Sequence, residues 1–200
     1  MSDVDRWRSR VGPSLRRLVL IDGPSGAGKS RLVTETIPRV EGASAVRRTT
    51  SRPRRDTDTA DEYEFVSVEE FEEAERNGEF LESKEFLFDM RYGLRWSEVE
   101  RTLAEAAVAL GVMNLGNVSH VARVAPEVVR VLVTASLDDL RRRIEARGTH
   151  TQEAIDERLE NARRLASSGH LYDHVLVNDD GDFETTRDAL EAILRDAAGR

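Results

Sequence analysis

Gly23-Pro24-Ser25-Gly26-Ala27-Gly28-Lys29-Ser30 fits the phosphate-binding pattern G-x-x-x-x-G-K-[ST] at every fixed position. Leu18-Val19-Leu20-Ile21-Asp22 ahead of it reads as a short buried strand, and Ser30 to Glu35 behind it can open a helix. Glycines let backbone N–H groups turn toward phosphate oxygens, and the helix N-terminus adds partial positive charge. Lys29 is placed to reach the β- and γ-phosphates, and the Ser30 hydroxyl to ligate Mg²⁺. Lys29 and Lys84 are the two lysines among 30 basic residues, so a lysine here points to a need for a compact point charge. A chance glycine turn would not require strand, loop and helix in register. The stretch implies a nucleoside triphosphate site on an α/β fold.

The chain has 200 residues, the size of one domain or of one core with small mobile inserts. Such a length buries a core without staples, and the absence of cysteine excludes disulfides and thiolate metal sites. Met1 to Arg17 is polar, interrupted by Asp3 and Asp5, and lacks the apolar run of a signal peptide. No stretch has the length of a membrane span, so the expectation is a cytoplasmic protein without a membrane partner. The net charge of −8 argues against a nucleic-acid partner. Arg47, Arg48, Arg52, Arg54 and Arg55 nevertheless crowd together, and Arg141, Arg142, Arg143 and Arg147 form a second cluster. Either cluster can serve small anions or be a solvated face.

Beyond the first helix the chain turns at Pro38 and Gly42, and Asp56 to Asp61 reads as an exposed turn. Tyr63 to Val66 alternates as a strand. Ser67 with Glu70 forms a capping box that opens an acidic helix to about Arg76, closed by Asn77-Gly78. Phe80, Leu81, Phe86 and Phe88 suggest short strands. Ser97 to Ala107 is expected as a helix, and Val108 to Leu115 and Val128 to Thr134 as buried strands. Ser136 caps a helix from Leu137 to Ala146 that Gly148 ends. Gln152 to Ser167 and Glu184 to Ala198 are further helices, with Val175 to Val177 a last core strand. Strands alternating with helices predict a parallel sheet covered on both faces.

Four blocks resemble the acceptor-binding part of guanylate kinases: Thr49 to Arg54, Tyr63 to Ser67, Gly78 to Glu82, and Tyr92-Gly93. Arg147-Gly148-Thr149 with Arg158-Leu159 resembles the lid of that family, and Val177 to Asp180 its adenine-side loop. The likeness runs from about Leu18 to Leu194 with the blocks in order. It implies a P-loop NTPase three-layer fold with a parallel sheet core, a small acceptor-binding insert and a helical lid. The implied boundaries are core about 17–45, 97–146 and 170–200, acceptor segment about 46–96, and lid about 147–168. The implied cofactors are ATP and Mg²⁺, held by Gly23, Ser25, Gly26, Ala27, Gly28, Lys29, Ser30, Asn178 and Asp179, with Ser30 on the metal. Lys29, Arg147 and Arg158 become the catalytic cations, which suits phosphoryl transfer, a reaction of alignment and charge neutralisation. The acceptor set is Arg47, Arg52, Arg54, Tyr63, Glu82 and Tyr92: guanidinium and phenols on the acceptor's phosphate, Glu82 on a guanine edge. Read without the resemblance, Arg158 is an exposed helix charge and Tyr63 fits a core position.

The departures concern the base. Ser51 stands where the family has arginine, with Arg52 beside it; Arg47 and Leu94 stand where serines are expected. The strand Leu110 to Gly116 carries no acid where an aspartate pair is usual, and one extra residue separates Glu82 from Tyr92. The phosphate clamp is kept and the base reader is reduced, which implies weak guanine selectivity. The reading is an ATP-dependent kinase acting on the phosphate of a small phosphorylated acceptor, GMP first, in a monomer or homodimer. A sugar phosphate of the ribose 1,5-bisphosphate kind or a modified nucleotide is the second choice, and a silent binding module the third.

Overall fold

A computed structural model of the chain describes residues 3–56, 58–85, 90–114, 116–146 and 151–199. Leu18–Asp22 forms strand β1, buried along its whole length. Continuous burial is what the middle of a parallel sheet demands, because both faces are covered. β1 pairs in parallel with β7 (Val108–Val112) and β8 (Val129–Thr134), inside a sheet ordered β2-β7-β1-β8-β9. Its outer strands are β2 (Ala43–Ala45) and β9 (His174–Val177).

Successive side chains of a strand point to opposite faces, so β1 feeds two cores. Leu18 and Leu20 pack with Trp96, Val99 and Leu103 of α4 (Trp96–Glu105) and Val121 of α5 (Val118–Val124). Val19 and Ile21 pack with Leu32 of α2 (Lys29–Thr36), Leu140 of α6 (Leu137–Glu145), Leu159 of α7 (Gln152–Ser167) and Leu190 of α8 (Phe183–Ala198). The result is three layers, helix on sheet on helix. Because β7 and β8 flank β1, the connections after it run to opposite sides. The C-terminal end of β1 is therefore the place where such folds form a ligand crevice.

A second sheet, ordered β4-β3-β6-β5, is built from the middle of the chain: β3 (Arg48–Thr50), β4 (Tyr63–Phe65), β5 (Phe80–Glu85) and β6 (Arg91–Arg95). β3 runs parallel to β4 and antiparallel to β6. α3 (Val68–Arg76) lies against it, opened by the expected capping box: the Glu70 amide donates to Ser67 Oγ at 3.1 Å and the Ser67 amide to Glu70 at 2.7 Å. Phe71 of α3 stacks on Phe80 of β5 at 4.4 Å between centroids.

Several elements differ from expectation, the strands β2, β3 and β6 among them. The polar N-terminus forms α1 (Asp3–Val11), docked through Trp7, Val11 and the following Leu15, with Arg10 bonded to Glu100 at 2.6 Å. Their four-residue spacing is a helical stripe that composition alone hides. α5 follows the same rule through Val118, Val121 and Val124. β9 is an edge strand rather than a core strand: Val175 and Val177 are 48% and 52% exposed. Phe86, Phe88 and Gly148 lie outside the described residues. Among the described residues no helix is long and apolar enough to cross a membrane.

Candidate active site

The phosphate loop leaves β1 and enters α2 in the geometry its glycines permit. Gly28, the residue before α2, has φ 89°, and a Cβ there would come within 2.5 Å of Asn178 Nδ2. A Cβ on Gly23 would lie 2.1 Å from the Val133 carbonyl oxygen, so only glycine fits against β8. Asn178 pins the loop: its Nδ2 donates to Ala27 O at 2.8 Å and its amide to Thr134 O at 2.8 Å. Its Oδ1 is buried with no partner among the described residues. Lys29 Nζ donates to the carbonyls of Gly23 (2.5 Å) and Pro24 (2.9 Å), which holds the ammonium over its own loop. Ser30 follows in the first turn of α2 and is exposed.

Asp22, to which the sequence reading gave no role, anchors the loop from behind. Its carboxylate accepts from the Gly23 amide (2.7 Å), the Tyr172 hydroxyl (2.6 Å) and the Gly116 amide (3.4 Å). Burial pushes the Asp22 carboxyl up, against the pull of those donors and of Lys29. Burial and the neighbouring Asp22 likewise push the Tyr172 phenol up.

Two hollows open beside the loop. The smaller, about 410 Å³, lies between Gly26, Gly28 and the segment Asn178 to Gly181. Its rim is rigid. Arg31 lies 3.6 Å over the Phe183 ring, and Arg143 binds Asp180 at 2.6 Å, holding that carboxyl below its usual range. Asp179 Oδ1 accepts from the Ser136 amide at 2.6 Å.

The larger cleft, about 570 Å³, runs between the second sheet and α7. Gly23, Ser25 and Lys29 form one wall, and Arg48, Tyr63 and Tyr92 of the second sheet, with Arg55 from the loop after β3, line it opposite. Met113 and Asn114 lie at the end of β7, and Ala154, Glu157, Arg158 and Asn161 line the α7 side. Lys29, Arg158, Tyr63 and Tyr92, singled out from sequence, thus meet around one cavity. Arg147 lies outside the described residues.

Glu82 sits beneath that cleft rather than on its surface, 1% exposed. It accepts from Asn114 Nδ2 at 3.2 Å, the Asn114 amide at 3.3 Å and Asn117 Nδ2 at 2.6 Å. Burial pushes its carboxyl up to about 7, although Arg48 and the asparagines favour the charged form.

The remaining arginines are placed differently from expectation. Arg47 pairs with Glu98 of α4 at 2.8 Å and does not line the cleft; with Arg101 it holds Glu98 low in spite of burial. Arg52 is buried in a two-bond pair with Asp58, 2.7 Å to each oxygen, and holds that carboxyl well below its usual range. The pair ties Asp58 down, while the other described residues of the stretch 56–61 are exposed as expected. Arg54 is exposed, 3.4 Å from the Asp58 carbonyl.

Arg48 and Arg55, which the sequence singled out only as members of a basic cluster, line this cleft together with Asn114, and Asn117 holds Glu82 beneath it. The apolar replacements at the base end are coupled to one another. A Cβ on Gly111 would come within 2.6 Å of Leu20 and 3.4 Å of Leu94, and Leu94 and Met113 are buried in the same core. Leu20 of β1 fills the space that a side chain at position 111 would need, with Leu94 in contact beside it.

This arrangement, cations and phenols around a phosphate loop, agrees with the chain's relatives. The guanylate kinase family model matches residues 15–197. The guanylate kinase of Rubrobacter xylanophilus is 35% identical over 181 residues, covering 90% of this chain and 93% of that one. That of Idiomarina loihiensis is 36% identical over 188 residues, covering 92% and 88%. The crystal structure of guanylate kinase from Anaplasma phagocytophilum superposes with a TM-score of 0.69 at 25% identity, covering 94% of this chain and 88% of that one. A match that starts ahead of β1 and ends within α8, repeated in relatives along nearly their whole length, makes this chain a member of the guanylate kinase family and a phosphotransferase.

Proposed function

We propose that the protein transfers the γ-phosphoryl group of MgATP to the phosphate of GMP, giving ADP and GDP. The observation that carries this is the single cleft in which the phosphate loop, Arg158 of α7 and the paired tyrosines of the second sheet converge. Donor and acceptor phosphates meet there, where alignment and cations supply most of the rate. ATP fits the smaller hollow through its base and the loop through its phosphates. Asn178 Oδ1, a buried acceptor without a partner among the described residues, is suited to an amino group of the base. Among the described residues no cluster of three acids or histidines could hold a metal of its own. Ser30 suits an ion that arrives with the nucleotide and keeps most of its water. When bound, Mg²⁺ neutralises charge on the β- and γ-phosphates.

Lys29 leaves its carbonyls for the phosphates, and Arg158 with Arg147 closes over the transferred group from the lid, about residues 147–168. Tyr63, Tyr92 and Arg54 hold the acceptor within the segment of about residues 46–96, and Glu82 reads its base. The two outer segments belong to one domain with the core at about 17–45, 97–146 and 170–200. A cytoplasmic monomer or homodimer completes the proposal. The sugar-phosphate acceptor is not favoured by the relatives, which are guanylate kinases. An acceptor screen following ADP and the phosphorylated product tests the function: GMP-dependent formation of GDP supports it, and ATP turnover with no GDP overturns it.

A further inference from the structure

Arg48 has no part in the mechanism above, yet it occupies the middle of the acceptor wall. It pairs in register with Tyr63 of β4, and Thr50 of the same strand pairs with Tyr92 of β6. Its guanidinium carbon lies 5.9 Å from the Tyr63 ring centre and 5.1 Å from that of Tyr92, and the two rings meet edge to face at 6.5 Å. The other guanidinium groups of this sheet are held by carboxylates: Arg47 by Glu98, Arg52 by Asp58, Arg91 by Glu72 and Arg95 by Glu79. Arg48 Nη2 instead donates to the neutral amide oxygen of Asn114 at 2.6 Å, with the buried Glu82 carboxyl near enough to feel its charge. An arginine carries five N–H donors, so Asn114 leaves most of the fork for a ligand.

Asn114 is itself fixed. Its Nδ2 donates to Tyr92 O at 2.8 Å and to Glu82 at 3.2 Å, which leaves Oδ1 turned toward Arg48. A guanidinium between two phenols, lining the cleft that Lys29 shares, is the donor array that a phosphomonoester dianion accepts best.

We infer that Arg48 binds the phosphate of the acceptor, and that Asn114 is the positioning residue that holds its guanidinium between Tyr63 and Tyr92. The inference rests on the nucleotide-kinase reading, and three probes separate the two: GMP, ribose 5-phosphate (phosphate without base) and guanosine (base without phosphate). Arg48→Ala should raise the KM for GMP and the inhibition constant of ribose 5-phosphate by about tenfold or more. The same variant should move guanosine inhibition and the KM for ATP by less than twofold. Arg48→Lys, which keeps charge and stem, should recover part of the loss and serves where the alanine variant does not fold. Asn114→Ala should weaken ribose 5-phosphate inhibition in the native background and add nothing in the Arg48→Ala background. An unchanged GMP KM in Arg48→Ala, or guanosine weakened as much as ribose 5-phosphate, overturns the phosphate assignment. Additive losses in the double variant overturn the role of Asn114. A native protein that makes no GDP overturns the kinase reading, while ribose 5-phosphate binding still reports on Arg48.

Discussion

Raising the pH from about 5 to about 8 should charge Glu82 inside the folded protein, and the cost should appear as lost stability that Glu82→Gln does not share. The folded carboxyl lies at about 7, against an ordinary value of 4.5, chiefly because burial disfavours its anion. Between those values the unfolded chain has released its proton and the folded chain has not. The folded state then binds more protons, so stability falls as pH rises through this window and levels off above about 7. The displacement corresponds to about 3 kcal/mol at 1.36 kcal/mol per pH unit. For a chain of this length that is roughly 6–12 °C in Tm. Thermal melts of the native protein and of Glu82→Gln across the range isolate the effect, because Asp22 and every other titrating group are present in both. The native Tm should drop relative to the variant as pH rises. Curves that stay parallel would refute the reasoning, showing that Glu82 titrates as an exposed carboxyl would. The same ionisation should govern acceptor use: the carboxylate can accept from two guanine N–H groups at once, while the neutral acid carries a donor in place of one acceptor, so kcat/KM for GMP should climb toward half-maximum near pH 7 and lose that limb in the variant.

Other substitutions separate structural from chemical roles. Arg52→Ala should lower the Tm while leaving the GMP KM nearly unchanged, because it removes the two-bond partner of the Asp58 carboxylate; an unchanged Tm with a raised GMP KM would make Arg52 an acceptor ligand instead. Lys29→Ala should lower kcat by about 10²–10³-fold with the fold intact, as loss of a single donor to developing charge does; an unchanged kcat, measured by GDP release, would contradict the enzyme reading. Selectivity for GMP over AMP should be only about 10- to 150-fold, the worth of one charge-assisted contact of about 1.5–3 kcal/mol, since Leu94, Gly111 and Met113 offer no polar help. Exclusive use of GMP would show that other groups read the base.

The sequence by itself determined whatever depends on neighbours in the chain. The phosphate loop follows from glycines at fixed spacing, the α3 cap from Ser67 and Glu70, and the buried β1 from an unbroken apolar run; each appears where those local rules put it. The family's acceptor blocks could be read in the same way, as could the absence of acid on β7. The arginines could not. Arg47 and Arg48 are adjacent in sequence, but successive residues of an extended chain point to opposite sides. Pairing of β3 with β4 and β6 therefore decided that Arg48 faces the tyrosines while Arg47 meets Glu98. The buried pair of Arg52 with Asp58 withdraws a cation that local reading assigned to the substrate. Glu82 was recognisable as a carboxylate near the base, yet its proton affinity is set chiefly by its burial, opposed by Arg48 and by Asn114 and Asn117, brought over it from the end of β7 and the start of α5. Burial and charge partners are properties of packing between distant segments, and only the tertiary structure supplies them.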